Sequence, residues 1–170
     1  MAQVEIFTPT GVVAGILSRP DLVQQPDLRS PVPVEKARWY PLDGSSPEHR
    51  GTVLVPPDDV LVVYVPEPDM TLHATWYSIV LEIGPYRVRG KMPTPVGFDP
   101  KRALARPGGA FVTFREASVE LMNRPDAGIA KRSVVHIGRY AVERVDSALM
   151  LGFFFPGANV TTTPLEAPVA

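Results

Sequence analysis

Val4-Glu-Ile-Phe-Thr-Pro-Thr-Gly-Val-Val-Ala-Gly-Ile-Leu17 and Ile79-Val-Leu-Glu-Ile-Gly-Pro-Tyr-Arg-Val-Arg-Gly-Lys-Met92 read as one pattern written twice. Each is a strand, a turn and a second strand with Val two residues before Gly, first Val13 and Gly15, then Val88 and Gly90. Outward from each hairpin, a long loop leads to a third strand whose apolar positions change parity. In the first copy these are Val32, Val34, then Ala37 and Trp39; in the second, Val112, Phe114, then Ala117, Val119 and Leu121. Side chains alternate between the faces of a strand, so a strand changes its buried face only through a bulge or an extra residue. The shared defect predicts two copies of one bent-strand β module.

The rest of the chain fits around this repeat. Arg19 to Pro33 holds Pro20, Pro26, Pro31 and Pro33, a density that forbids a central strand or a long helix, so it reads as a loop with one helical turn near Asp21. Val34–Leu42 is the bent strand, and Gly51–Val55 and Val60–Val65 are strands around Pro56-Pro-Asp-Asp59. In the second copy, Pro93 to Gly109 is the long insert, with a short helix signalled by Asp99 as N-cap and Pro100 at the first helical position. Phe111–Met122 is the second bent strand, and Ser133–Ile137 and Tyr140–Val145 are strands around Gly138-Arg139. The expected organisation is copy one over 1–66, linker and lead-in strand over 67–78, copy two over 79–147, and an apolar segment with a Pro/Thr/Ala tail over 148–170. Ala148–Phe155 is too short for periodicity to decide between strand and helix, and the tail after Pro156 has no core-forming pattern.

At 170 residues, 45% hydrophobic and 21% charged, the composition is that of a globular protein. Two modules of about 70 residues each lie near the lower end of independent stability, so the copies are expected to pack on each other or on another subunit. With no cysteine, disulfides and thiolate metal sites are excluded. No signal peptide precedes the first strand, and no apolar run approaches the ~18 residues of a membrane span, so the expectation is a cytoplasmic protein with no membrane partner. The net charge of −1 hides an asymmetry. Residues 1–75 carry 5 basic and 10 acidic side chains, and residues 76–170 carry 12 and 8. Unlike halves attract, within the chain or between subunits.

Five short strands with a bent middle strand predict a small closed barrel. Val13-Ala-Gly-Ile-Leu17, Val88-Arg-Gly-Lys-Met92 and the Gly-containing turn of Ser133-Val-Val-His-Ile-Gly-Arg139 resemble the Sm-like fold, a kind of SH3-like small barrel. The likeness covers most of 4–65 and 79–146, and Val4-Glu-Ile-Phe-Thr-Pro9 also looks similar to functionally unassigned bacterial domains of that barrel type. It implies an all-β chain of two tandem five-stranded barrels with long Pro-rich loops, and assembly through strand edges. The Asp and Asn that RNA-binding Sm-like proteins carry before the third strand have no counterpart in the first loop. Only Arg139 matches their basic residue in the last turn, with its order relative to Gly reversed.

Three functions are weighed. The first is a non-enzymatic assembly or scaffold protein, a homo-oligomer built as a ring or filament, with Leu149, Leu151, Phe153, Phe154 and Phe155 as self-association anchors. The second is an RNA- or DNA-binding protein, or one that takes an acidic partner, through Arg87, Arg89 and Lys91 on one strand face together with Arg139. Arg102, Arg106, Arg115, Lys131 and Arg132 lie in the same copy; against this stands the plain reading of a solvated strand face. The third is a small enzyme with its site in the Pro-rich inserts. No catalytic grouping, cofactor motif or metal-ligand spacing is read: His49, His73 and His136 are far apart, and Asp58-Asp59 is a turn pair of a kind usually solvated. Trp39, Tyr40, Trp76 and Tyr77 read as packing residues.

Overall fold

The structure, a computed structural model, describes residues 2–19, 21–25, 28–66, 74–100, 109–151 and 154–162. The fold is all-β. Among the described residues eleven strands form one sheet: β1 (Ala2–Phe7), β2 (Gly11–Leu17), β3 (Val32–Pro41), β4 (Glu48–Val55), β5 (Val62–Tyr64), β6 (Thr75–Ile83), β7 (Tyr86–Thr94), β8 (Phe111–Leu121), β9 (Ile129–Gly138), β10 (Val142–Ser147) and β11 (Asn159–Thr162). Their order is β11-β10-β6-β7-β8-β9-β5-β1-β2-β3-β4, and the sheet is not closed on itself. Every pairing is antiparallel except β10 with β11. Three 3₁₀ turns, Leu22–Gln24, Pro57–Asp59 and Pro125–Ala127, are the helical elements among the described residues. The first falls where a helical turn was expected; most of the expected helix after Asp99 lies outside the described residues. No described helix is long and apolar enough to cross a membrane.

The parity change has its physical cause in the ladder. Ala14 pairs with Arg38 but Ile16 with Glu35, so β3 holds one extra residue opposite Gly15. Arg89 pairs with Ser118 but Lys91 with Arg115, so β8 does the same opposite Gly90. The bulges place Lys36 at φ 50° and Glu116 at φ 48°, a left-handed backbone that non-glycine residues enter only when the surroundings hold them there. The glycines opposite let the bent strand close in. A Cβ on Gly15 would sit 2.6 Å from the Glu35 carbonyl oxygen and 2.7 Å from Val34 Cγ1.

Two hydrophobic clusters sit along the sheet. The first gathers Val4, Ile6, Val13, Leu17, Val34 and Val63, and the second Ile79, Leu81, Val88, Phe114, Val135 and Ile137 with Phe7, Leu61 and Val62 from the first half. Strand β5 explains the uninterrupted apolar run around it. Val62 points into the second cluster and its neighbour Val63 into the first, and both are fully buried. A strand covered on both faces has no polar side to show in its sequence.

Ala148–Phe155 is neither strand nor helix over its described residues, apart from a single bridge at Met150. Leu149, Leu151, Phe154 and Phe155 instead plug the end of the second cluster in an irregular path. The tail after Pro156, which has no core-forming pattern in its sequence, holds strand β11, which lies parallel to β10 from Arg144↔Asn159 to Ser147↔Thr162. Residues 67–73 of the expected linker and 163–170 of the tail lie outside the described residues.

Candidate functional site

The basic strand face forms as its alternation requires. On β7, Tyr86, Val88 and Met92 are buried while Arg87, Arg89 and Lys91 point outward. The neighbouring strands neutralise it. The β6–β7 ladder sets Glu82 opposite Arg87, and the β7–β8 ladder sets Glu120 opposite the same residue. Arg87 reaches Glu82 at 3.3 Å and Glu120 at 3.8 Å, Arg89 reaches Glu120 at 3.9 Å, and Lys91 reaches Glu116 at 2.6 Å. Farther along the face Arg144 lies 3.8 Å from Asp146. Partly exposed pairs of this kind each contribute about 0.2–1 kcal/mol, so their main effect is on the field rather than the fold. Each cation of the stripe lies beside a carboxylate, which cancels most of the attraction for a phosphate backbone.

Arg139 is not a surface residue. It is 2% exposed, and its guanidinium donates from Nε to the Phe154 carbonyl at 2.8 Å and from Nη1 to the Gly109 carbonyl at 3.1 Å. It also lies over the Tyr140 ring at 5.0 Å. A nucleic acid or acidic partner has no access to it, so the role expected for Arg139 is corrected to a structural one. The same correction applies to Leu149, Leu151, Phe154 and Phe155, all buried inside this chain and so not free as intermolecular anchors; Phe153 lies outside the described residues. Arg102, Arg106 and His73 also lie outside them. His49 is exposed on β4, and His136 is buried on β9, its Nδ1 2.9 Å from Thr113 Oγ1. Among the described residues no group of three or more His, Asp or Glu side chains converges as a metal site would.

What the fold does build is a junction between sheet edges. Strand β5 is the last of the first half and β9 the fourth of the second, and they pair at Val62↔Ile137 and Val63↔His136. The ladder extends where the Gly138 N–H donates to the Leu61 carbonyl at 2.8 Å. A Cβ on Gly138 would stand 2.9 Å from the Val60 carbonyl oxygen, so only glycine permits this approach. Beside the ladder, Arg132 grips Glu5 with two hydrogen bonds, 2.7 and 3.0 Å, and lies over the Tyr64 ring at 5.2 Å. The hydrogen bond to Glu5 raises the Arg132 pKa above its ordinary value. The Tyr86 hydroxyl donates to the Thr8 carbonyl at 2.6 Å, its ring meets Phe7 edge-on at 5.5 Å, and burial pushes its pKa well above the usual phenol range. Arg124 Nη1 donates to the Leu42 carbonyl at 2.8 Å.

Beyond the junction, the sheet ends differently at its two edges. At the first-half end β4 pairs, among the described residues, only with β3, and its residues are exposed from Glu48 to Thr52 and again at Leu54, which is 63% exposed. Thr52-Val-Leu-Val55 is thus an uncharged β-forming stretch on an open edge, the arrangement that invites another strand. At the other end β10 is covered by β11. Sequence reading found the second half of β4 but not its status as an edge, because edge position is fixed by strand order and not by the strand itself. No protein-family model matches the chain, and no curated protein or solved structure matches it either.

Proposed function

We propose that this chain is a non-enzymatic assembly module: two copies of one bent five-stranded unit of the Sm-like small-barrel kind, joined edge to edge, which takes further copies through the edge left open. One observation carries the reading. The first half runs β5-β1-β2-β3-β4 and the second β10-β6-β7-β8-β9, so both follow the order last, first, second, third, fourth. Both also bulge the third strand opposite a glycine of the second. The junction lays the fourth strand of one half on the last strand of the other, and β4 is the fourth strand that has no such neighbour among the described residues. Repeating the junction between chains sets β4 of one chain on β10 of the next, in competition with β11, a head-to-tail contact that gives a ring if the rotation closes and a filament if it does not. The Glu5–Arg132 pair across the junction, acidic half to basic half, is the electrostatic pattern that such a contact would reuse.

The test is the mass in solution. At about 100 μM, where contacts with micromolar Kd are populated, light scattering is expected to give a multiple of 18.5 kDa. Replacing both Thr52 and Leu54 with Lys places two like charges on one face of the edge and should return the mass to that of one chain, with the thermal melt little changed because both sites are exposed. Raising the salt should not dissolve the assembly, since backbone pairing and apolar contact form it. A wild-type mass of one chain throughout the concentration range would end this reading.

A further inference from the structure

We propose that β11 is a built-in cap that closes the growing edge of the sheet, and that its release exposes β10 to the β4 edge of a second copy. The inference rests on the assembly reading and adds its regulation. β10 is the last strand of the second half, the counterpart of β5 in the first. On β5 the outer edge is taken by a fourth strand, β9; on β10 the same edge is taken by β11. The cap therefore occupies the place that a fourth strand from another chain would fill.

The build of β11 is that of a removable element. It spans four residues, and three of them, Asn159, Thr161 and Thr162, are exposed. Only Val160 packs, partly buried, against the second cluster. Its pairing with β10 is parallel, the weaker of the two ladder types per residue, whereas β9 meets β5 antiparallel. The segment before it is fixed separately. Leu149, Leu151, Phe154 and Phe155 are buried, and Arg139 holds the Phe154 carbonyl. A turn then follows, in which the Ala158 N–H donates to the Phe155 carbonyl at 3.1 Å and Gly157 takes φ +83°. Detaching β11 beyond that glycine leaves the core plug in place. The occupant that fits the exposed edge is β4 of a second copy, because β4 is the open strand of this sheet and holds the same position in its half as β9 does in the other.

Four proteins compared at one concentration by light scattering decide the matter: the full chain, the chain ending at Gly157, the full chain with Val160→Pro and Thr161→Pro, and the chain ending at Gly157 with Thr52→Lys and Leu54→Lys. Prolines at two successive positions remove the β10-facing amide whichever residue carries it, and leave the chain length unchanged. The shortened chain is expected to form particles at least several-fold heavier than the full chain, the proline variant to move the same way, and the lysine pair to reverse the growth. Equal multimeric masses for full and shortened chains, with the shortened chain's mass lowered by the lysine pair, overturn the cap and leave edge assembly standing. One-chain masses for every protein overturn both. Growth of the shortened chain that ignores the lysine pair overturns the cap as a block on β10–β4 pairing.

Discussion

Replacing Arg139 with Met is expected to destabilise the fold by about 3 kcal/mol, a loss of roughly 10 °C in Tm for a chain of this size. The side chain is among the largest fully buried ones, and it hydrogen-bonds two carbonyls that no strand ladder serves, those of Phe154 and Gly109. Met keeps much of the apolar stem but donates nothing. The Phe154 oxygen, which is buried, and the partly buried Gly109 oxygen then lose a charge-assisted partner, which costs more than the mean worth of a hydrogen bond. Lys is not expected to rescue, because a point charge lacks the planar fork that reaches two acceptors at once. Equilibrium urea unfolding measures the difference. A loss under about 1 kcal/mol would remove Arg139 from the structural role argued for it.

Gly15→Ala is expected to cost about 3 kcal/mol, near the upper end for overpacking. The added methyl would meet the Glu35 carbonyl oxygen at 2.6 Å, Val34 Cγ1 at 2.7 Å and Ala37 Cα at 3.2 Å, and the first and last of these are backbone atoms of the bulge itself. Gly90→Ala should cost less, because its tightest approach, Phe114 Cβ at 2.9 Å, is looser than the 2.6 Å at Gly15, and the nearest backbone oxygen, that of Arg115, stands at 3.4 Å. Gly51→Ala is the control. No atom lies within 4 Å of the new Cβ, so only the φ of +64° opposes it, at about 1–2 kcal/mol. The order Gly15 above Gly90 above or equal to Gly51, read from thermal melts, is the expected outcome; a Gly15→Ala variant as stable as the wild type would show that the bend does not need the close approach.

The bent hairpins were legible because they are local. Period-two alternation on β7 and the parity switch on β3 and β8 depend only on neighbours in sequence. The ion pairs of the basic face were legible in principle as well: Glu82 and Arg87 flank the Gly84-Pro85 turn of one hairpin and must therefore face each other. The burial of Arg139 was not, since the carbonyls that hold it lie 15 and 30 residues away in the chain. Residue type alone assigns an arginine beside a turn glycine to the surface. The Leu149–Phe155 run was apolar enough to be noticed, yet its described residues pack irregularly, and irregular packing has no period to read. Strand β11 escaped for a related reason. Four residues with one partly buried side chain, paired in parallel, carry no alternation to distinguish them from the tail around them. The continuous sheet escaped because edge-to-edge joining of the two halves is a property of strand order.

Assembly of this kind requires β4 to act as a working edge. Hydrogen exchange followed by mass spectrometry tests it strand by strand, because amides on an open edge exchange freely and amides in a ladder do not. Peptides covering Glu48–Val55 should exchange at least tenfold more slowly at about 100 μM than at about 1 μM, while those from β6 and β7 in the sheet interior remain unchanged. Exchange across β4 that is fast and identical at both concentrations would contradict the account.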